Sequence, residues 1–516
     1  MKRVKIFLIL LLLWLGGVVS AANYYVDVNS IGGACSDSNA GTSLTQPFCT
    51  TTRGVQAAMP GDLVYIREGV YYNPNSDGIL PIRDGTAANP ITFKGYPLDS
   101  KRPIIKGDIS HSPVFVGGYS YLIFDSLELI EGRQGGVVIP GASTGIIIRN
   151  NDIHNNYIGS DLTDNTGGIV LYDFSVRTLI IIENNTIHDN EGRTLNNGNG
   201  IHMYPCVDCI IRYNHIYNAS AGIFLKSAPL NGIQIYGNVI HDVDIGMHFY
   251  RDPTNIDVHD NLIYNFNSQG LGRMQQPGSS LATNLSYYHN TVIGIGQGIE
   301  YFEGQGLNTK IFNNVFYYGG TGGCDTAGTY ARTFNNRGTD AITNFQENNN
   351  LFYHPTDSWY FCWNGLIYDL AGWRNYWQTQ SSNNGQYSIG SNPLFYNPNN
   401  YDYHLQSISP GIDAGTFIPG FHCALSDSNG GTSLTNCRHW SGLAPDIGAY
   451  EFVSGATFNS PDVNSDGKVN VIDLVLVIRW QGRNSGNVDW NNYRHLDVNN
   501  DNVTSMLDVN AVMVNM

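Results

Sequence analysis

The chain has 516 residues, 14% of them charged and 42% hydrophobic, with a formal net charge of −16. That length suits one large repeat domain with a small companion. So low and acidic a charge excludes the basic face that nucleic acid requires, and an acidic chain that handles an acidic polymer needs a locally positive cleft.

Residues 1–21 read as a secretory signal. Met1-Lys2-Arg3-Val4-Lys5 is the basic end, Ile6 to Leu15 the apolar core, and Val19-Ser20-Ala21 or Ser20-Ala21-Ala22 the small-residue cleavage site. The apolar run is short for a bilayer span and no later segment is a candidate, so the mature chain is expected to be secreted or extracellular and cell-surface-associated, with no membrane span. Eight Cys in an exported chain point to disulfides. Cys35 and Cys49 flank a loop nearly identical to the one between Cys423 and Cys437, so each pair reads as a local bridge. Cys206 and Cys209 read as a tight disulfide, and Cys324 with Cys362 as the remaining pair.

From Asn151 onward one phrase recurs: Asn, any residue, a branched or aromatic apolar residue, then often His or Tyr. Its Asn residues are Asn151, Asn185, Asn214, Asn238, Asn261, Asn290, Asn314 and Asn350, spaced 34, 29, 24, 23, 29, 24 and 36 positions apart. Each repeat also has a Gly opening an alternating run: Gly136, Gly168, Gly200, Gly222, Gly246, Gly270 and Gly298. Period-two alternation predicts strands with one buried face. Two or three short strands per repeat with no helix between them predict an all-β fold, a parallel β-helix or solenoid over residues 22–452. The Asn residues predict an internal ladder, each amide satisfying backbone groups at a bend and stacking on its equivalents.

Alignment on the Gly anchors turns distant residues into columns of outward-facing neighbours, about 4.8 Å apart per coil. Two positions after the Gly the column reads Val138, Val170, His202, Phe224, His248, Gly272 and Glu300. Four positions after, it reads Pro140, Tyr172, Tyr204, Lys226, Tyr250, Met274 and Phe302, with Asp173, Ser227, Arg251 and Glu303 one step beyond. Lys226 is therefore expected between Tyr204 and Tyr250, with His202, His248 and Arg251 within a coil of it. Aromatic faces suit pyranose rings and interspersed polar groups orient them. A Lys crowded by rings and near an Arg is easier to deprotonate and can act as a general base, while an Arg can clamp a carboxylate. His154, His188 and His241 form another column after the Asn ladder, read as capping backbone groups at the bend rather than as metal ligands.

The opening Tyr24-Tyr25-Val26, the run Pro60-Gly61-Asp62-Leu63-Val64-Tyr65-Ile66 and the run Asn89-Pro90-Ile91-Thr92-Phe93 resemble secreted right-handed parallel β-helix proteins, many of them polysaccharide lyases. The resemblance runs to Phe452, where Pro445-Asp446-Ile447-Gly448-Ala449-Tyr450-Glu451 is similar to the closing segment of such proteins and is assigned to the end of the solenoid. Lys226-Ser227 followed by Arg251 is similar to the Lys and Arg pair of alginate and chondroitin lyases on this fold. The resemblance implies a polysaccharide lyase that splits an acidic, uronate-containing polysaccharide by β-elimination. Lys226, Arg251, Tyr250 and Tyr204 would be catalytic, and His202, His248, Tyr172 and Glu300 substrate-binding. Gly222-Ile223-Phe224-Leu225 stands where those enzymes carry acidic calcium ligands, so a catalytic Ca²⁺ is not supported. The alternatives are a non-catalytic glycan-binding or structural surface protein, and a glycoside hydrolase using Asp173, Glu300 or Glu303.

Residues 453–461 read as a linker and 462–516 as a small α-helical calcium-binding domain. Asp462, Asn464, Asp466, Asn470 and Asp473 occupy positions 1, 3, 5, 9 and 12 of a calcium loop, with Gly467 at 6 and the Lys468 carbonyl at 7. A second loop offers Asp497, Asn499, Asp501, Ser505 and Asp508, with Val503 at position 7. Two such loops resemble a type I dockerin, which implies Ca²⁺ as cofactor and a cohesin-type domain as partner.

Overall fold

In the computed structural model the described residues are 21–452 apart from 157–165, 191–197, 275–281, 295–296, 302–305, 319–333, 337–341, 357, 364, 423–437, 439 and 441. Three strand segments per coil stack in parallel register into a β-helix. One ladder precedes the repeated Asn, running through Ile147–Arg149, Ile181–Glu183, Ile210–Arg212 and Leu230–Tyr236. A second follows the Asn, from Asp152–His154 to Thr186–His188, and a third follows the Gly, from Val137–Pro140 through Gly167–Tyr172 to Asn199–Met203. In three successive repeats the second and third segments fuse into long strands, His215–Leu225, Val239–Tyr250 and Leu262–Met274. The first two lie in repeats of 24 and 23 residues between ladder Asn residues, which leave no excess chain to loop out between the segments, and the third lies in a repeat of 29.

Repetition of sequence puts like on like. Ile153, Ile187, Ile216, Ile240 and Ile263 form a column with no solvent exposure inside the coil. Burial of each such side chain contributes about 2 kcal/mol. The Gly anchors are explained by this column: a Cβ on Gly200 would lie 2.3 Å from Ile216 Cγ2, and one on Gly222 2.4 Å from Ile240 Cγ2. Only a bare Cα lets the third strand pass over the Ile.

The predicted Asn ladder is present and fully buried. Asn214 Nδ2 donates to Ile182 O at 2.9 Å and to Asn238 Oδ1 at 3.0 Å, and Asn238 Nδ2 donates to Ile211 O and Asn261 Oδ1 at 3.0 Å each. The stack ends at Asn350, which donates to the buried carboxylate of Glu347 at 2.8 Å. The residue before each ladder Asn is left-handed, with φ 57° at Asn150, 54° at Asn184, 55° at Tyr213 and 54° at Asp260. That conformation makes the sharp bend, and the amide ladder offsets its cost.

Both ends are closed. Helix Thr51–Ala57, capped by Thr50, packs Gly54 and Val55 on the first coil beside the Cys35–Cys49 disulfide. Helix Leu370–Thr379, an element the strand-only reading lacked, lays Trp373 and Trp377 on Phe345 and Phe361 at the other end. The segment from Ser409 to Phe452 does not stack as a further coil. It runs back along the side: Thr416 N donates to Asn313 Oδ1 at 2.8 Å, and Ala449 N to Thr291 Oγ1 at 3.0 Å. Its position is set by polar groups at the bends, which no strand period reveals. Cys206–Cys209 is bridged and Cys362 is disulfide-bonded, whereas Cys324, Cys423 and Cys437 lie outside the described residues. No helix among the described residues is long and apolar enough to cross a membrane.

Candidate active site

The column two positions after the Gly has the register expected of it. Val138 pairs with Val170, Val170 with His202, His202 with Phe224, Phe224 with His248, and His248 with Gly272. These side chains point away from the apolar interior, yet they are not open to solvent. His202 and Val170 are 0% exposed, His248 1% and Phe224 4%. His202 and His248 were expected to line an outward wall; they lie beneath it, flanking Phe224 at ring distances of 5.0 and 4.8 Å. Tyr204 covers His202 in a stacked arrangement at 5.5 Å, and Tyr250 meets Phe224 and His248 edge-on.

Lys226 emerges from this layer half-buried, its backbone N donating to Met203 O at 2.8 Å. Its ammonium lies 5.7 Å from the centre of the Phe224 ring and 5.8 Å from that of Tyr204. Burial, then the charge of Arg251, pushes the Lys226 ammonium below its ordinary value. Arg251 is exposed, sits in a left-handed turn at φ 63°, and places its guanidinium 5.9 Å from the Tyr250 ring. The Tyr204 phenol is raised by burial and by Tyr172, an effect that Arg251 opposes. Burial holds the His202 imidazole down to about 3 and that of His248 to about 4, so both are neutral. Asn199 Nδ2 donates to His202 Nδ1 at 2.8 Å, while among the described residues His202 Nε2 and both nitrogens of His248 have no hydrogen-bond partner.

The structure thus gathers Lys226, Arg251, Tyr204, Tyr250, His202 and His248 around Phe224. Tyr172 stands half-exposed one coil before Tyr204. Glu300 pairs in the ladder with Gly272, one coil beyond His248, and its side chain lies outside the described residues, as does Glu303. Asp173 is committed elsewhere, accepting from Gly141 N at 2.8 Å and pairing with the buried Arg177 at 3.0 Å. Phe174, which belongs to none of the aligned columns, is 71% exposed and meets Tyr204 edge-on at 5.3 Å. It projects from a turn, where residue type alone does not disclose exposure. A shallow depression lined by Asn284, Ser286, Asn308, Lys310, Asn344 and Gln346 belongs to the ladder before the Asn and contains none of these groups.

The calcium-loop residues Asp462, Asn464, Asp466, Lys468, Asn470, Asp473, Asp497, Asn499, Asp501, Val503, Ser505 and Asp508 lie outside the described residues. An amine whose proton affinity is lowered by burial, walled by rings and near an exposed guanidinium, can, once deprotonated, take a proton from a carbon next to a carboxylate that the guanidinium binds.

Residues 167–339 match the family described as right handed beta helix region, and residues 460–516 the dockerin type I domain. The uncharacterized protein YwoF of Bacillus subtilis (strain 168) is 24% identical over 447 residues, covering 73% of this chain and 90% of that one. Among solved structures, pectate lyase Pel9A superposes with a TM-score of 0.52 at 15% identity, covering 84% of this chain and 97% of that one. An alginate lyase from Paenibacillus sp. str. FPU-7 gives a TM-score of 0.37 at 15% identity over 51% of this chain and 93% of its own. At 15% identity the likeness to pectate lyase Pel9A is one of fold. The chain is a right-handed parallel β-helix protein, similar in fold to a pectate lyase, that ends in a dockerin type I match.

Proposed function

We propose that this protein is a secreted polysaccharide lyase that cleaves a uronate-containing chain by β-elimination and is tethered through its dockerin. The observation that carries the reading is the placement of the Lys226 ammonium between the rings of Tyr204 and Phe224, where burial and Arg251 lower its proton affinity. Arg251 binds the uronate carboxylate and stabilises the charge that develops as the neighbouring proton leaves. Lys226 Nζ takes that proton from C5, the C4–O bond breaks, and the Tyr250 or Tyr204 hydroxyl gives a proton to the departing oxygen. Tyr172 and Glu300 serve the sugar rather than the bond, while His202 and His248, buried beneath the wall, support the rings of Tyr204, Phe224 and Tyr250.

The hydrolase reading loses support because Asp173 is held by Arg177 and Gly141. In the dockerin, the side-chain oxygens of both loops suit Ca²⁺, with the Lys468 and Val503 carbonyls completing the set. A cohesin-type domain is the partner, which fits an extracellular or cell-surface location.

The test is a screen of alginate, pectate and chondroitin for the ultraviolet absorbance of a C4=C5-unsaturated uronate. Reducing ends without that absorbance would indicate hydrolysis, and glycan binding without any turnover would indicate a binding protein.

A further inference from the structure

Outside the Lys226 wall, the ladder that follows the Asn carries a second cluster. Asp152, His154 and His188 bring one ligand atom each to within 4.8 Å of one another. Register explains it. Asp152 and His154 alternate on one strand and share a face; Glu128 pairs with Asp152 on the coil before, and His188 pairs with His154 on the coil after. The result is a diagonal motif repeated once: His154 Nε2 faces Glu128 Oε1 at 3.4 Å, and His188 Nε2 faces Asp152 Oδ1 at 3.2 Å. These groups do not cap backbone at the bend, as their place in the sequence suggested.

The other nitrogen of His188 is taken, because Nδ1 lies 2.7 Å from Asp189 Oδ2. A neutral imidazole has one proton and cannot donate to both carboxylates. Burial opposes a charge on His188, but hydrogen bonds to Asp152 and Asp189 outweigh it and raise the imidazole above its ordinary value, so the ion-free ring donates to both. An ion that takes the place of the Nε2 proton would leave Nδ1–H on Asp189, the arrangement in which an outer carboxylate fixes the tautomer of a metal-ligating His. The ring is held in place by stacking between His154 at 4.8 Å and Tyr217 at 4.7 Å. Among the described residues, and with both imidazoles neutral, the carboxylates of Glu128, Asp152 and Asp189 are offset by one cation, Arg102, 3.9 Å from Asp152 Oδ2. Two negative charges remain, which a divalent ion would balance. The four candidate ligand groups keep between 17% and 28% of their side-chain surface exposed, so an ion can reach them.

We propose that Glu128, Asp152, His154 and His188 form a binding site for a divalent first-row transition ion, Zn²⁺ or Cu²⁺, that ties three successive coils together. Two imidazoles with carboxylates select such ions over Ca²⁺ and Mg²⁺, which take oxygen ligands. Ligand bonds of about 2.0–2.2 Å place tetrahedral donor atoms roughly 3.4 Å apart, close to the 3.4 and 3.2 Å at which the His154–Glu128 and His188–Asp152 pairs already stand, so small adjustments within the stack suffice.

The full-length chain, first saturated with Ca²⁺, is titrated with Zn²⁺ against a chelating dye, and with Cu²⁺ for electron paramagnetic resonance. The expected result is one Zn²⁺ per chain at micromolar concentration that excess Ca²⁺ does not displace, and a Cu²⁺ spectrum split by two nitrogens. His188→Ala should weaken binding at least tenfold, the double variant His154→Ala/His188→Ala should abolish it, and His111→Ala, at an imidazole that pairs instead with Asp108 at 3.1 Å, should leave it unchanged. Asp152→Asn, which keeps shape and packing, should weaken binding about tenfold even if the His variants fold poorly. Absence of Zn²⁺ uptake by the wild-type chain, or unchanged affinity in both Asp152→Asn and the double variant, overturns the proposal.

Discussion

His202 and His248 stand two coils apart in one column with Phe224 between them, both buried and both with a ring nitrogen that has no hydrogen-bond partner among the described residues. The ordinary imidazole value is 6.5, against about 3 for His202 and about 4 for His248 in the fold. The unfolded chain therefore takes up protons that the folded chain refuses once pH drops below 6.5, and stability falls as pH falls from there toward 4. The two residues together should cost several kcal/mol, on the order of 1–3 kcal/mol each, by pH 4. Denaturant unfolding measured between pH 7 and pH 4 should show this slope, and His248→Phe should flatten it; an unchanged slope in that variant would mean the imidazole is not what titrates.

Lys226→Ala is expected to lower the proposed elimination by about 10²–10⁴-fold while retaining affinity for the polymer. Arg251→Ala should weaken binding of the acidic chain as well as turnover, because the guanidinium is the exposed cation of the pair. Comparing turnover with affinity electrophoresis in the same polymer separates the two roles. Retention of full turnover by Lys226→Ala would remove the lysine from the chemistry.

Asn238 lies mid-ladder, accepting from Asn214 N and Nδ2 at 3.0 Å each and donating to Ile211 O, Tyr236 O and Asn261 Oδ1. Asn238→Ala leaves several buried partners unsatisfied and should destabilise the solenoid by about 3 kcal/mol or more. The denaturation midpoint measures this. A shift under about 0.5 kcal/mol would mean that water or a rearranged neighbour fills the rung.

Arg438 ties the C-terminal segment to the coils, reaching Asp260 at 2.8 Å and Glu451 at 3.1 Å, with all three side chains largely buried. Arg438→Met removes the cation and leaves two carboxylates facing each other, a loss on the order of 3–5 kcal/mol. Limited proteolysis should then release the segment after Ser409 earlier than in the wild type, while the coils before Asn313 stay intact.

Removal of Ca²⁺ by a chelator is expected to abolish binding to a cohesin domain through the dockerin loops, with no change in the unfolding of the solenoid. Two thermal transitions followed with and without chelator, alongside a pull-down, would check this; a solenoid transition that shifts with Ca²⁺ would place a calcium site in the β-helix instead.

The repeated Asn and Gly carried most of the fold. Because the same residue types recur at the same steps of each coil, stacking them buries one Ile column and one amide ladder, and any slip exposes both. Hence the pairing of His202 with Phe224 and of Phe224 with His248 was legible from spacing alone. Whether such a column is open was not: alternation says only that a side chain faces away from the interior, and the burial of His202 and His248 depends on what lies across it, including the Tyr204 and Tyr250 rings.

Helix Leu370–Thr379 escaped for a related reason, since its Trp373 and Trp377 serve the end of a stack formed elsewhere in the chain. The same holds for Glu128, Asp152, His154 and His188, which are ordinary strand residues in sequence and become a cluster only when adjacent coils offset their carboxylates and imidazoles by one diagonal step. Periodic identity was enough to specify the coil, its register and which residues are neighbours along each column. Which neighbours are covered, which charges meet across columns and how the ends are sealed emerge only in the folded chain, because those depend on contacts between residues that no repeat relates.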